Sequence, residues 1–182
     1  MVKIVLFVSA FVPMYIVFLL TLIVELINKN LRFNITNTVV FVVLVLLILI
    51  GVVGLLWIVK DKGKTYKTIK VVSKKNITDQ HFLNYFSLFV LLALTFDFSK
   101  LCYISALVII LIFIGVVYIK NNIFYVNPLL NILGYSFYDI IYLDGEKECE
   151  ARIFYKGELK TGDLSYNLYS TNKNLSFLEL DG

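Results

Sequence analysis

Very little in this chain can hold a metal or build a nucleophile beside a base. One histidine, His81, and two cysteines, Cys102 and Cys149, are its whole stock of imidazole and thiol. Those counts exclude a His-rich zinc site and a C-x-x-C relay. No G-x-S-x-G, G-x-x-x-x-G-K-[ST] or H-E-x-x-H motif occurs either. The chain therefore reads as a non-enzyme, with no catalytic residue, metal or cofactor expected. Charge is scarce as well: 16% of residues are charged against 59% hydrophobic, and the mean hydropathy is +0.84. Soluble domains carry about 25% charged residues, so an ordinary soluble fold is excluded and a membrane protein is implied.

The apolar residues fall in long runs without an ionisable group. Residues 4–24, 38–59 and 101–119 are uncharged throughout. A stretch of about 20 such residues, at 1.5 Å rise each, matches a hydrocarbon layer of roughly 30 Å. A fourth run, 82–96, is shorter, but Thr78 and Asp79 are good N-cap residues before it, which extends the expected helix to 80–97. The connector "DFSK" is short enough to make the last two helices an antiparallel hairpin. The first run is longer than a signal-peptide core and no A-x-A-like site follows it, so it is read as a retained helix. The fold class expected is a membrane all-α four-helix transmembrane bundle (spans about 4–24, 38–59, 80–97 and 101–119, together domain 1–120) with a small C-terminal cytoplasmic β-rich module at 121–182.

No charge lies inside these runs, which argues against a proton relay or a coupled transporter. Cations gather instead in the loop 60–79, where Lys60, Lys62, Lys64, Lys67, Lys70, Lys74 and Lys75 face two aspartates. Moving those ammonium groups across a bilayer is disfavoured, so the loop is expected in the cytoplasm, giving N-in and C-in topology in a multi-pass bacterial inner-membrane protein. Trp57 and Tyr118 suit a headgroup belt on that side and Tyr103 suits one on the other. The seven lysines are expected to face anionic lipid headgroups, each worth about 1 kcal/mol near the surface, or a protein partner. They are not interleaved with aromatics or arginines, so no direct nucleic-acid binding is expected. Cys102 and Cys149 would lie on opposite sides of the bilayer, too far apart to pair.

Beyond Lys120 the pattern changes. Pro128 disfavours helix at Asn127, and Asn127, Pro128, Gly134 and Tyr135 mark an elbow where the chain leaves the lipid, with Leu129, Leu130, Ile132 and Leu133 at the interface or under a sheet. Alternation then sets Cys149, Ala151, Ile153 and Tyr155 against Glu148, Glu150, Arg152 and Lys156, with Phe154 an exception on the polar side. Strands are expected at about 135–143, 148–156, 164–169 and 175–180, with Asp144-Gly145 as a hairpin turn. The segment "TYKTIKVVS" of the lysine loop also has strand character. Loop 60–81 carries a net charge of +5 and the tail −4, from five cations and nine anions, so loop and tail are expected to form one unit.

Two segments, "ITDQHFLNYFSLFVLLALTFDFSK" and "YIKNNIFYVNPLLNILGYSFYDI", resemble the KwaA family, the membrane subunit of the Kiwa bacterial anti-phage system. The resemblance covers roughly residues 75–142 and rests most on Asn127, Pro128, Gly134 and Tyr135. It implies an inner-membrane sensor or scaffold that self-associates as a homo-oligomer, a tetramer, and assembles with a cytosolic DNA-binding effector, KwaB. The alternative reading of the same residues is a small oligomeric channel or permeabilising protein.

Overall fold

The computed structural model describes residues 2–28, 34–60, 66–78, 87, 91, 101–121, 123, 127–145, 147–162, 164–172 and 175–180. The chain divides into two compact units: Met1–Leu56 with Asn84–Asn127, and Trp57–Leu83 with Pro128–Gly182.

The first unit is helical. Its elements are α1 (Val2–Ala10), α2 (Val12–Ile27), α3 (Ile35–Lys60, whose last residues pass into the second unit) and α4 (Leu101–Lys120). The first apolar run is not one straight span. Pro13 sits in the first turn of α2, and α1 and α2 meet at 49°. Proline has no N–H to offer the carbonyl four residues back, and its ring crowds that carbonyl, so the ladder breaks there. Phe11 N–H turns to Val8 O at 3.3 Å instead.

Glycines set the packing of this unit. A Cβ on Gly54 would lie 2.4 Å from Val5 Cγ1, and one on Gly51 would lie 2.5 Å from Val12 Cγ2 and 3.2 Å from Ser9 Cα. On α4, a Cβ at Gly115 would come within 3.1 Å of the Phe7 ring. Helices α1 and α2 therefore sit in a notch that hydrogen at Gly51 and Gly54 leaves open, with a tight fit at Gly115. The same contacts bring the N-terminal end of α1 beside the C-terminal ends of α3 and α4. Tyr118, read from sequence as a headgroup anchor, is instead fully buried, its ring 5.5 Å from that of Phe7.

The second unit is a closed barrel. Strands β1 (Tyr66–Asn76), β2 (Tyr135–Asp144), β3 (Lys147–Lys156), β4 (Ser165–Asn172) and β5 (Leu175–Leu180) run in the order β1-β2-β3-β5-β4 and back to β1. All pairs are antiparallel except β3 with β5. This is the order of an OB-fold, a five-stranded Greek-key barrel. The first strand is bulged between Val71 and Ser73; its N-terminal half pairs with β4 and its C-terminal part with β2. A bulge bends a strand and sharpens its twist, which lets one strand serve both halves of a small barrel. Inward positions alternate as the period of two requires: Ile69, Val71, Tyr138, Ile140, Ile153, Tyr166 and Leu178 meet inside, with Leu159 from the β3–β4 connection. The hairpin turn falls at Gly145, with φ of 65°. A short helix, α5 (Pro128–Ile132), precedes β2 and ends at Gly134, whose φ of 83° is the left-handed conformation that glycine adopts after a helix.

The four-helix bundle with an appended module is thus overturned. The described residues hold five helices and a closed five-stranded barrel. Among them α3 alone is long and apolar enough to cross a membrane, and α1 with α2 would make a second crossing only as a bent pair. Hydropathy counts apolar length and does not register the break at Pro13. The segment expected to span at 80–97 lies outside the described residues, apart from Ser87 and Leu91, which are helical. The boundary also differs from the one at 120/121: loop strand β1 belongs with the tail, because the tail's strands alone leave β2 and β4 as open edges that β1 bridges.

Substituting Gly51 by Ala is expected to destabilise the helical unit by about 1–3 kcal/mol, the scale of overpacking. In detergent unfolding, the double variant with Val12→Ala should be more stable than the sum of the two single changes, because it removes the methyl that the new Cβ meets.

Candidate functional site

The cations of the loop do not form one surface. Lys60 ends α3. Lys62 and Lys64 lie outside the described residues. Lys67, Lys70, Lys74 and Lys75 are all on β1, where alternation and the bulge send them in different directions. Lys67 pairs with Asp144, and that hydrogen bond raises its pKa above the usual lysine value. Lys70 sits opposite Leu143 on β2 and Ser165 on β4. Lys74 donates to the Leu159 carbonyl, tying β1 to the β3–β4 connection. Lys75 stands opposite Asp139.

That last pair belongs to a concave polar surface. A groove of about 470 Å³ runs over the outer face of β1, β2 and β3. Register places Lys75, Asp139 and Arg152 in one row across the three strands, and Ser73, Ile141 and Glu150 in the next. Arg152 Nε donates to Asp139 Oδ1 at 3.1 Å, and both side chains are largely solvent-exposed. An exposed pair of this kind adds little stability. What the rows offer is a fixed pattern of two cations, two carboxylates and one aliphatic side chain, suited to recognising a charged polypeptide surface. Glu150 and Arg152 were legible as polar-face residues, but their convergence with Lys75 and Asp139 depends on register, which alternation alone does not give.

The other end of the outer face is aromatic. Phe137, Phe154 and Phe177 stand in register across β2, β3 and β5, with centroid separations of 4.7 and 5.6 Å, and Tyr135 meets Phe177 at 5.9 Å. All four are buried. Phe154, out of pattern in the sequence, is the centre of this row. Its burial leaves it no free face for stacking a nucleobase.

The elbow residues are anchored separately. In the helical unit, Asn127 Nδ2 donates to Ser9 Oγ at 2.7 Å and reaches Leu6 O at 3.4 Å, with Asn127 and Ser9 both buried. In the barrel unit, Pro128 is buried at the start of α5, Gly134 N–H bonds Asn131 O at 2.9 Å and Tyr135 opens β2. Also in the barrel, Phe137 N–H donates to Thr78 Oγ1 at 2.8 Å and Ile77 N–H to Phe137 O at 3.1 Å. Thr78 thus extends the β1–β2 ladder with its side chain. At the barrel mouth, Cys149 is a half-buried free thiol opposite Tyr142. Among the described residues no group of three or more His, Cys, Asp or Glu side chains converges as metal ligands do.

A helical unit with one helix long and apolar enough to cross a membrane, among the described residues, and a barrel with a polar outer groove define a two-unit protein. The chain matches the family described as anti-phage protein KwaA over residues 2–177, and it belongs to that family. The match takes in both units, well beyond the residues 75–142 that carried the resemblance. Neither the curated proteins nor the solved structures contain a match.

Burial pushes the phenols of Tyr142 and Tyr155 above the ordinary value of 10.0, with the neighbouring Cys149 and Tyr166 adding to it. In the unfolded chain these protons leave first, so their contribution is complete below about pH 10 and is lost as pH rises through the folded values. Denaturant midpoints between about pH 8 and about pH 11 should fall with pH, and Tyr155→Phe should shallow that fall.

Proposed function

We propose that this anti-phage protein is a non-catalytic membrane sensor and scaffold whose barrel holds a soluble effector at the bacterial inner membrane. Helix α3 supplies the anchor: 26 residues at 1.5 Å rise exceed a hydrocarbon layer of roughly 30 Å, and Lys60 at its end favours the cytoplasmic side. The apolar faces of α1, α2 and α4 lie against the same lipid. The barrel then stands in the cytoplasm. The family resemblance names KwaB as the effector and a tetramer as the assembly.

The observation that carries this reading is the outer groove on a barrel without free edges. A closed barrel offers no strand for β-augmentation, so a partner engages its side-chain faces. The groove of Lys75, Asp139, Glu150 and Arg152 is the polar, concave one. Charged rims of this sort steer association and fix register more than they add affinity.

The test is the double charge reversal Lys75→Glu with Arg152→Glu, in cells carrying the whole defence system. KwaB co-purification and plaque protection are expected to fall about tenfold or more, on the scale of like-charge juxtaposition, with membrane yield unchanged. Full co-purification by this variant would remove the groove as the docking face.

A further inference from the structure

The helical unit contains a second concavity, a trough of about 650 Å³ between α1, α2, α3 and α4. Phe7 and Tyr15 form one wall and Val108, Ile112 and Val116 the other. These α4 residues recur at i and i+4, so they line one stripe of the helix. They are at least half exposed, so the trough is open along its length. Gly115 lies in the same stripe, and the Phe7 ring fills the space its missing side chain leaves.

Two features select an occupant. From Val108 to Lys120 the stripe spans twelve helical steps, about 18 Å at the helical rise. One leaflet of hydrocarbon is about half of roughly 30 Å. The trough is therefore about as long as one leaflet is deep. Its sole ionisable cation among the described lining residues is Lys120, in the last turn of α4, at the end where the N-terminal end of α1 brings Lys3. An apolar trough of one-leaflet length with an ammonium group at its headgroup end matches a phospholipid whose acyl chain lies along α4 and whose head is anionic.

We propose that this trough is a binding site for one anionic phospholipid of the inner leaflet, separate from any attraction of the β1 lysines to the membrane surface. The proposal rests on the membrane reading given above. Lys120 sets the headgroup preference and the stripe through Ile112 and Val116 holds the chain.

The full-length protein in a mild nonionic detergent, titrated with phosphatidylglycerol and in parallel with phosphatidylcholine, tests it by native mass spectrometry and thermal unfolding. The wild type is expected to retain phosphatidylglycerol and to be stabilised by it more than by phosphatidylcholine. Lys120→Gln, at an exposed position, should fold normally and weaken phosphatidylglycerol about fivefold, the worth of one cation near a charged surface. Val116→Trp, which fills the trough, should lower retention of both lipids. Equal response of the wild type to the two lipids, or an unchanged preference in Lys120→Gln, overturns the proposal. A change of subunit number in Val116→Trp with lipid retention intact also overturns it, by giving the trough to a second copy. Release of the wild type from membranes by alkaline carbonate would instead overturn the membrane reading itself, which keeps the two failures distinct.

Discussion

Between Thr68 and Asn167, 99 residues apart, a side-chain hydrogen bond of 3.0 Å marks the seam where β1 meets β4 and the barrel closes. Everything in the second unit depends on that seam. Four tail strands alone would expose an edge on β2 and another on β4, and a small open sheet buries too little apolar surface to stand by itself. With β1 in place both edges vanish and Ile69 and Val71 complete the core. The seam is also costly in chain entropy, because β1 must wait through the helical excursion before its partners exist. Pairings of such sequence separation form late in folding.

How much of this was legible follows from which interactions are local. The tail strands announced themselves by alternation and by the Asp144-Gly145 turn, both properties of neighbouring residues, and they appear as β2 to β5, with β4 running three residues past its expected end. The strand character of "TYKTIKVVS" gave β1, and opposite charge on loop and tail pointed to its partners. Closure and the parallel β3–β5 pair were not legible, because they are contacts between distant segments that leave no period in the sequence. Phe154 carried the missing signal. An aromatic on the polar side of a strand meant that the outer face is buried there, as the row with Phe137 and Phe177 shows.

In the helical unit the failure runs the other way. Apolar length was read as four crossings, with Pro13 expected only to kink the first, yet helix continuity depends on backbone hydrogen bonds, and Pro13 removes one. Gly51, Gly54 and Gly115 carried no motif in sequence, since a glycine acquires meaning only from the side chain that faces it: Val12, Val5 and Phe7. Tyr118 shows the same limit. A tyrosine next to a terminal lysine looks like a headgroup anchor until a phenylalanine from another helix covers it. For the candidate site, Lys75 was named among seven lysines. What distinguishes it from Lys74, one residue away, is direction: one side chain joins Asp139 and Arg152 outside the barrel and the other bonds the Leu159 carbonyl.

Two polar ties flank the segment 79–126, one within each unit. Entering, Thr78 is bonded to Phe137 on β2. Returning, Asn127 is bonded to Ser9 of α1, and its peptide bond to Pro128 passes directly into the barrel unit. Neither tie can be broken cheaply, since a buried amide or backbone N–H left without a partner costs about 1–3 kcal/mol. Phe137 is also the first ring of the aromatic row that crosses to β5. Within the barrel, the Thr78 tie therefore fixes β2, and β2 contributes Asp139 and Ile141 to the middle of the outer groove.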